Sequence, residues 1–379
     1  MHWINTTPRL QQFLKPLGDG GLLALDTEFL RTDTYYPKLC LIQLARQDGE
    51  IALIDPLRCD LSPLWACLRN PAVTVIIHAA FQDLEVLYQS GGVLPARLVD
   101  TQLVALLHGY GDQMGLSALL QKQLGIDLDK SATRSNWCQR PLTQQQIHYA
   151  AEDVRHLIPL YQALWQPLSP AARAALQQDF HHLLDTAHYQ HPIDTAWQRL
   201  PGSDRLSAKQ QTLLRRLAAW REQTAQQENR PRRWIIGDDA LMALAKRPPA
   251  DQHKLKNVPG LSAPQIRQYG AAILAVIDAA FHSRQWEKHT SERLKPSASE
   301  LPLLTLAQAV VRQQSLDFAF NPNTITKHTL LQWLRHRCGE LSYGWRHLLL
   351  GAPLQRIQQG TPLIWKNKLE IPYETLFTP

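Results

Sequence analysis

The chain has 379 residues, of which 44% are hydrophobic and 19% are charged, a composition typical of a folded protein with two or three domains. No run of 18 apolar residues occurs, and the N-terminus lacks the basic start and apolar core of a secretory signal, so we expect neither a membrane span nor secretion. The five Cys include no CxxC pair, which argues against a zinc ribbon or a disulfide framework. We therefore expect a cytoplasmic protein whose Cys residues are small buried side chains.

Charge is divided unevenly along the chain. Residues 1–200 hold 15 Lys and Arg against 19 Asp and Glu, a net charge of −4, whereas residues 201–379 hold 25 against 14, a net charge of +11. An acidic half beside a basic half suits a polyanionic partner such as a nucleic acid. A basic half that only keeps the protein soluble is the alternative.

The N-terminal part alternates short apolar runs, typical of strands, with helical patterns. The early strands follow one another closely, which predicts a meander, and later strand–helix alternation adds parallel partners. We therefore expect a mixed α/β sheet. The predicted strands are 21–29, 39–45, 50–54 and 73–77, and the predicted helices are 81–89, 101–108, 116–124, 143–165 and 170–189.

Strand patterns are absent from the rest of the chain. A polar stretch at 188–207 that contains Pro192, Pro201 and Gly202 is typical of a linker, and a second linker is predicted at 297–299. We expect two small helical bundles in series after the first linker. The predicted helices are 207–228, 237–246, 265–277 and 301–314, with a turn between helices at 254–262.

Carboxylates lie at the ends of apolar runs, where an uncompensated charge is costly. Asp26 and Glu28 are two residues apart on a predicted strand, so their side chains share a face and repel each other unless a cation lies between them. Asp83 begins the helix that follows the strand at 73–77, the place where α/β sheets carry functional groups. The alternative for Asp83 is an acid that only stabilises a helix start.

The predicted helix at 143–165 carries a further acid. Tyr149 and Asp153 are four residues apart, so they lie on one face, and the Tyr149 hydroxyl could orient a water molecule. The alternative for Tyr149 is a purely packing role. His148 lies five residues before Asp153, about 500° of helical rotation rather than about 400°, and therefore points away from that face. We favour Tyr149 over His148, although local unwinding of the helix would reverse this choice.

The four acids form an all-oxygen ligand set, with no Cys or His cluster beside them. Hard divalent cations prefer oxygen ligands, so Mg²⁺ or Mn²⁺ fits this set better than zinc. The pattern therefore predicts two bound divalent ions and metal-assisted phosphoryl chemistry.

The motifs that contain these acids resemble a known family. DTEF at 26–29, HAAFQDLEVL at 78–87 and YAAEDV at 149–154 resemble the three motifs of the DEDD exonucleases, in the subgroup with Tyr in the third motif. The run DTEFLRTDTYYPKLCLIQLA is closer still to the ribonuclease D family, and this resemblance covers about 22–164. PRRWIIGDDALMALAKRPP and LKNVPGLSAPQIRQYGAAIL are similar to the helicase-and-RNase-D C-terminal (HRDC) module. The segment after residue 300 departs most from that pattern and is interpreted as a divergent second copy.

The resemblance implies an α/β, ribonuclease H-like exonuclease domain at 1–190, an HRDC-type helical domain at 205–290 and a second, divergent one at 297–375. It implies a 3′-to-5′ exoribonuclease that releases nucleoside 5′-monophosphates and matures transfer RNA precursors and other small stable RNAs. Nothing in the sequence suggests an obligate partner, so we expect a monomer. A DNA exonuclease of the same fold and a non-catalytic nucleic-acid-binding scaffold remain alternatives.

The resemblance also implies roles for the site residues. Asp26, Glu28 and Asp153 would hold the metal that carries the attacking water, and Tyr149 would aim that water. Asp26 would bridge to a second metal, which Asp83 would support mostly through water.

The helical domains would hold the RNA through basic side chains, of which two groups stand out. An Arg-rich run with an aromatic residue is suited to phosphate contact and base stacking, and the turn at 254–262 is suited to phosphate approach. The residues are Arg230, Arg232, Arg233 and Trp234, and then Lys246, Arg247, Lys254, Lys256 and Arg267. The alternative is a basic solvated face.

Overall fold

The computed structural model describes residues 1–128, 135–283, 285–288 and 294–359. The chain divides into two compact units, each made of more than one segment. Among the described residues, the first unit contains 1–30, 39–189 and 294–359, and the second contains 31–38 and 190–288. None of the helices in these residues has the length and apolar character that crossing a membrane requires.

A six-stranded mixed sheet forms the centre of the first unit. Its strands are β1 (His2–Ile4), β2 (Gly21–Leu30), β3 (Lys38–Arg46), β4 (Ile51–Ile54), β5 (Val73–Ile77) and β6 (Leu98–Asp100). They lie in the order β1-β4-β3-β2-β5-β6. β3 and β4 are antiparallel, whereas β1–β4, β2–β5 and β5–β6 are parallel pairs. The predicted mixed sheet and the neighbouring positions of β2, β3 and β4 are confirmed. The three-residue strands β1 and β6 were not predicted, because so short a run carries no readable periodicity.

Helices pack around this sheet and cover its apolar residues. The predicted helix at 143–165 is in fact two helices, since the backbone at His156 turns to φ −104° and ψ −1°. Its first half begins with a capping box in which Thr143 and Gln146 bond each other's backbone. The helices of this part are α1 (Thr7–Leu14), α2 (Ser62–Arg69), α3 (Phe81–Gly91), α4 (Thr101–Leu107), α5 (Leu116–Leu124), α6 (Gln144–Arg155), α7 (Leu157–Trp165) and α8 (Pro170–Leu183).

The second unit is helical, and its core lies between α9 (Ala208–Gln227), α11 (Asp238–Lys246) and α13 (Ala263–Ser283). The loop at 31–38 belongs to this core: Tyr35 is buried, and its hydroxyl donates to Glu222. Arg232 donates to the same carboxylate at 2.7 and 2.6 Å, while the Asn229 side chain accepts the Tyr35 amide at 3.1 Å. The described residues of this unit also form the short helices α10 (Arg232–Ile235) and α12 (Gln252–Leu255).

The described part of the segment predicted as a third domain belongs to the first unit. It folds into α14 (Glu300–Phe318), α15 (Lys327–His336) and α16 (Gly344–Gln358), and the start of α16 is joined to α8. The Trp345 amide donates to the buried Asp179 at 2.7 Å, and Gly344 has φ +64°. Only glycine fits there, since a Cβ would collide with the Asp179 carboxylate. Its relation to HRDC modules stays a prediction, and 360–375 lie outside the described residues.

One expectation about the Cys residues is wrong. Cys40 on β3 and Cys138 in the loop before α6 form a disulfide, with their Cα atoms 4.8 Å apart. The two are separated by 98 residues, so their spacing in the sequence gave no sign of the pairing. Cys59, Cys67 and Cys338 are free thiols.

Candidate active site

Three of the four predicted acids converge at one point. Strand β2 presents Asp26 and Glu28 on one face, because side chains two residues apart point the same way. Helix α6 packs against β2 and brings Asp153 to the same place. Carboxylate oxygens of these three residues all lie within 4.8 Å of one another, which is close enough for one ion to contact all of them.

Asp83 lies beside this group and is held by the same strand. It sits in the first turn of α3, and its Oδ1 accepts hydrogen bonds from the Thr27 amide at 3.1 Å and the Thr27 hydroxyl at 2.6 Å. Its charge acts on Asp26 and Glu28, so the four acids form one electrostatic group. An acid that only stabilised the start of α3 would not need these two hydrogen bonds to Thr27.

The turn between β5 and α3 is fixed by an acid that sequence reasoning missed. Asp100, at the end of β6, accepts the Ala79 and Ala80 amides at 3.0 and 2.9 Å, and it also caps α4 through the Gln102 amide at 2.8 Å. Ala79 has φ +58°, a conformation that non-glycine residues adopt only when their surroundings hold them. An Asp directly before a helical run was the available signal for this cap.

Burial and mutual repulsion raise the pKa values of all four carboxyl groups. Burial is the larger cause throughout; it raises the pKa of Glu28 to about 9, with Asp26, Asp153 and Asp83 adding to the effect. The pKa of Asp153 is raised to about 7, although the hydrogen bond from the Tyr149 hydroxyl lowers it. The pKa values of Asp26 and Asp83 are raised by burial and then by the neighbouring acids. Four carboxylates in a half-buried group need positive charge beside them, and an all-oxygen set fits a hard divalent cation.

Tyr149 faces the acids, whereas His148 does not. The Tyr149 hydroxyl donates to Asp153, and its side chain lines the cleft that contains Asp26 and Glu28. His148 is exposed and does not line this cleft. Helix α6 is uninterrupted from Gln144 to Arg155, so the local unwinding that would exchange the two residues does not occur.

The cleft has a volume of about 380 Å³ and also includes residues that were not predicted to act in the site. His78 follows β5 directly, and its ring nitrogens bond the Thr101 hydroxyl at 2.9 Å and the Met114 carbonyl at 3.0 Å. Burial lowers the pKa of His78. A larger cavity of about 860 Å³ lies against α8 and contains none of the four acids. The remaining lining residues are Thr27, Phe29, Ala79, Gln82, Leu116 and Leu157.

The raised pKa values predict how stability depends on pH when no metal is supplied. The pKa of Glu28 rises from its ordinary 4.5 to about 9 on folding, so the folded protein binds more protons than the unfolded chain between these values. The stability that protonated Glu28 gives to the folded protein is fully present below pH 4.5 and is lost as the pH rises through 9. In chelator, the melting temperature is therefore expected to fall between pH 5 and pH 9, and Mg²⁺ should reduce that fall because it binds the ionised folded form.

Thermal melts at several pH values, with chelator and with Mg²⁺, measure this effect. Other groups titrate in the same range, so Asp26→Asn is the reference: its chelator curve should be flatter than that of the unaltered protein. Equal slopes in the two proteins would contradict the assignment of the pH dependence to this group of acids.

Comparison with known proteins agrees with this geometry. Residues 1–169 match the family model for a 3′–5′ exonuclease, and residues 210–277 match the model for the HRDC domain. Ribonuclease D of Pseudomonas paraeruginosa is 35% identical over 366 residues, which cover 93% of this chain and 96% of that protein. Ribonuclease D of Gluconacetobacter diazotrophicus is 35% identical over 376 residues, which cover 95% and 93%.

A solved structure resembles the whole fold. The crystal structure of Escherichia coli RNase D, an exoribonuclease involved in structured RNA processing, matches with a TM-score of 0.80 and 29% identity, over 96% of this chain and 99% of that chain. The exonuclease family uses divalent metals, in agreement with the acidic cluster. The sequence identity, the matching domains and the converging acids lead to one conclusion: this chain belongs to the ribonuclease D family of 3′-to-5′ exoribonucleases.

Proposed function

We propose that this protein trims the 3′ ends of transfer RNA precursors and other small stable RNAs, with Mg²⁺ or Mn²⁺ as its metal, and that it acts as a monomer. The observation that carries the proposal is the meeting of Asp26, Glu28 and Asp153 within 4.8 Å in a chain of this family. Asp83 lies against the same strand through Thr27.

The acids divide naturally between two ion positions. Asp26, Glu28 and Asp153 would hold one divalent ion, and Asp26 together with Asp83 would face a second. When bound, such ions activate water and neutralise the charge that develops on the phosphate and the leaving oxygen. The raised pKa values of the same carboxyl groups support this role, because a bound cation would stabilise the ionised form of each group in place of a proton.

Tyr149 is the residue that we propose to orient the attacking water. Its hydroxyl already donates to Asp153, so the phenol oxygen is held beside the acids, and a phenol oxygen can accept a hydrogen bond from a water. Orientation of a nucleophile in this way removes rotational freedom that would otherwise raise the barrier. His148 is exposed, so it has no comparable access.

The second unit supports an RNA substrate. Its basic residues Lys246, Arg247, Lys254, Lys256 and Arg267 are exposed, as are Arg233 and Trp234. The sequence predicted that Arg232 would contact RNA. In the structure its guanidinium instead donates to Glu222 and to the Tyr35 hydroxyl, and so stabilises the unit. Exposed cations beside an exposed aromatic ring suit phosphate contact combined with base stacking.

Digestion of a 3′-extended transfer RNA precursor, labelled at its 5′ end, tests the proposed substrate. We expect stepwise shortening and release of nucleoside 5′-monophosphates in Mg²⁺, and none in chelator. A DNA strand of the same sequence should be cut much more slowly, because it lacks the 2′ hydroxyl. Equal rates on the two strands would favour the DNA exonuclease, and binding without any release would favour the scaffold.

A variant in which Lys246, Arg247, Lys254 and Lys256 are changed to Gln together tests the role of the second unit in RNA binding. Binding of the precursor should weaken. Each lost phosphate contact should also reduce the steepness of the fall of log K with log salt concentration, by roughly 0.7 to 0.9 in the magnitude of the slope. Cleavage of a short oligonucleotide should hardly change. The matched control changes four exposed cations of the first unit, Lys15, Arg58, Arg69 and Arg97, to Gln. An equal loss of binding in the control would count against a specific role for the second unit.

A further inference from the structure

We propose that Arg140 is a positioning residue that sets the orientation of Tyr149 through Trp137. Arg140 does not line the cleft, and none of the catalytic motifs includes it. The inference rests on the proposed role of Tyr149 and adds the structural unit that holds Tyr149 in place.

Every nitrogen of the Arg140 guanidinium donates a hydrogen bond. Nε and Nη2 form a bidentate pair with the carboxylate of Asp55, both at 2.8 Å, and Nη2 also donates to the Cys40 carbonyl at 2.6 Å. Nη1 donates to the Trp137 and Gln139 carbonyls at 2.8 and 2.9 Å. The Asp55 side chain is 1% exposed and that of Arg140 is 15% exposed. A buried fork of this kind fixes geometry far better than an ion pair at the surface.

These bonds join two parts of the first unit. Asp55 follows strand β4, and Cys40 lies on the neighbouring strand β3, so this end of the guanidinium is anchored to the sheet. Trp137 and Gln139 lie in the loop that leads into α6. Together with the Cys40–Cys138 disulfide, Arg140 therefore fixes the path of this loop relative to the sheet.

The loop in turn supports the cleft. The Trp137 ring is buried, with 2% exposure, and packs against the Tyr149 ring with centroids 5.9 Å apart. The Tyr149 hydroxyl then donates to Asp153. A shift in the Trp137 backbone would move the surface against which the phenol rests, and a displacement of about 1 Å at a reacting group can cost about 100-fold in rate.

Helix α6 has its own N-terminal cap, so its position can be distinguished experimentally from the effect of Arg140 on the loop. The capping box of Thr143 and Gln146 begins the helix without any contribution from Arg140. Substitution of Arg140 is therefore expected to relax the loop at 137–140 while α6 and Asp153 remain in place.

Arg140→Lys is the informative substitution, because it keeps the charge and removes the fork. A single ammonium cannot serve the Asp55 carboxylate and the carbonyls of Cys40 and Trp137 in one geometry. We expect kcat on a short RNA to fall about tenfold, with KM within about twofold, since the substrate still binds the same acids.

A double-mutant cycle with Tyr149→Phe tests the route of the effect. If Arg140 acts through the Tyr149 hydroxyl, Arg140→Lys should lower kcat in the unaltered protein but hardly at all in the Tyr149→Phe background. An equal fold loss in both backgrounds would show a general structural effect and overturn the inference. All proteins are compared in one non-reducing buffer, so that the Cys40–Cys138 link stays constant.

Arg46→Lys is the matched control. Arg46 also binds a carboxylate, that of Asp48, donates to the Phe13 carbonyl at 2.6 Å and lies over the Phe13 ring, and it does not line the cleft. It should leave kcat unchanged. If Tyr149→Phe by itself leaves kcat unchanged, the proposed role of Tyr149 fails; if Tyr149→Phe slows turnover and Arg140→Lys does not, only the positioning role of Arg140 fails.

Discussion

Asp26→Asn is expected to reduce turnover of a short RNA by about 10³-fold or more, which corresponds to a barrier increase of about 4 kcal/mol. Asp26 shares the strand face with Glu28, and its charge acts on Glu28 and Asp83. Asparagine keeps the shape of the side chain but removes the negative charge and one anionic ligand oxygen. Asp153→Asn should behave in the same way, because Asp153 completes the group of three carboxylates.

The fold should survive both substitutions. Asp26 is half-buried among like charges, so the neutral amide removes a repulsion, and the melting temperature in chelator should be no lower than that of the unaltered protein. Initial rates on a labelled oligonucleotide, together with melting curves, measure the two effects separately. Asp19→Asn, at an exposed acid of the same unit, is the control and should keep full activity. Full activity of Asp26→Asn would refute the metal assignment.

Tyr149→Phe is expected to lower kcat by about 10- to 100-fold and to leave KM nearly unchanged. Phenylalanine keeps the ring contact with Trp137 but loses the hydroxyl that donates to Asp153. His148→Ala should change kcat by less than about twofold, because His148 is exposed and lies outside the cleft. Steady-state kinetics on one short RNA give both numbers. The opposite result, a strong loss with His148→Ala and little change with Tyr149→Phe, would assign the chain to the subgroup that uses His.

Much of the site was predictable from local patterns. Side chains point in the same direction every two residues on a strand and about every 3.6 residues on a helix. The sequence alone therefore put Asp26 beside Glu28 and Tyr149 beside Asp153. The strands β2 to β5 were found for the same reason, since each is an apolar run bounded by turn residues. The break between α6 and α7 was missed, because the apolar pattern continues through His156 while the backbone does not.

The sequence by itself therefore determined the fold class and the identities of the acids, and it favoured Tyr149 over His148; the continuous helix α6 in the structure then excluded the unwinding that would have reversed this choice. Only the tertiary structure decided which distant segments meet: Asp83 with Thr27, Cys40 with Cys138, Arg140 with Asp55, and Tyr35 with Glu222. It also placed the described part of the C-terminal segment with the first unit, through the contact of α16 with α8. The physical reason is that periodicity fixes the face on which a side chain lies, whereas the pairing of faces depends on packing the whole chain.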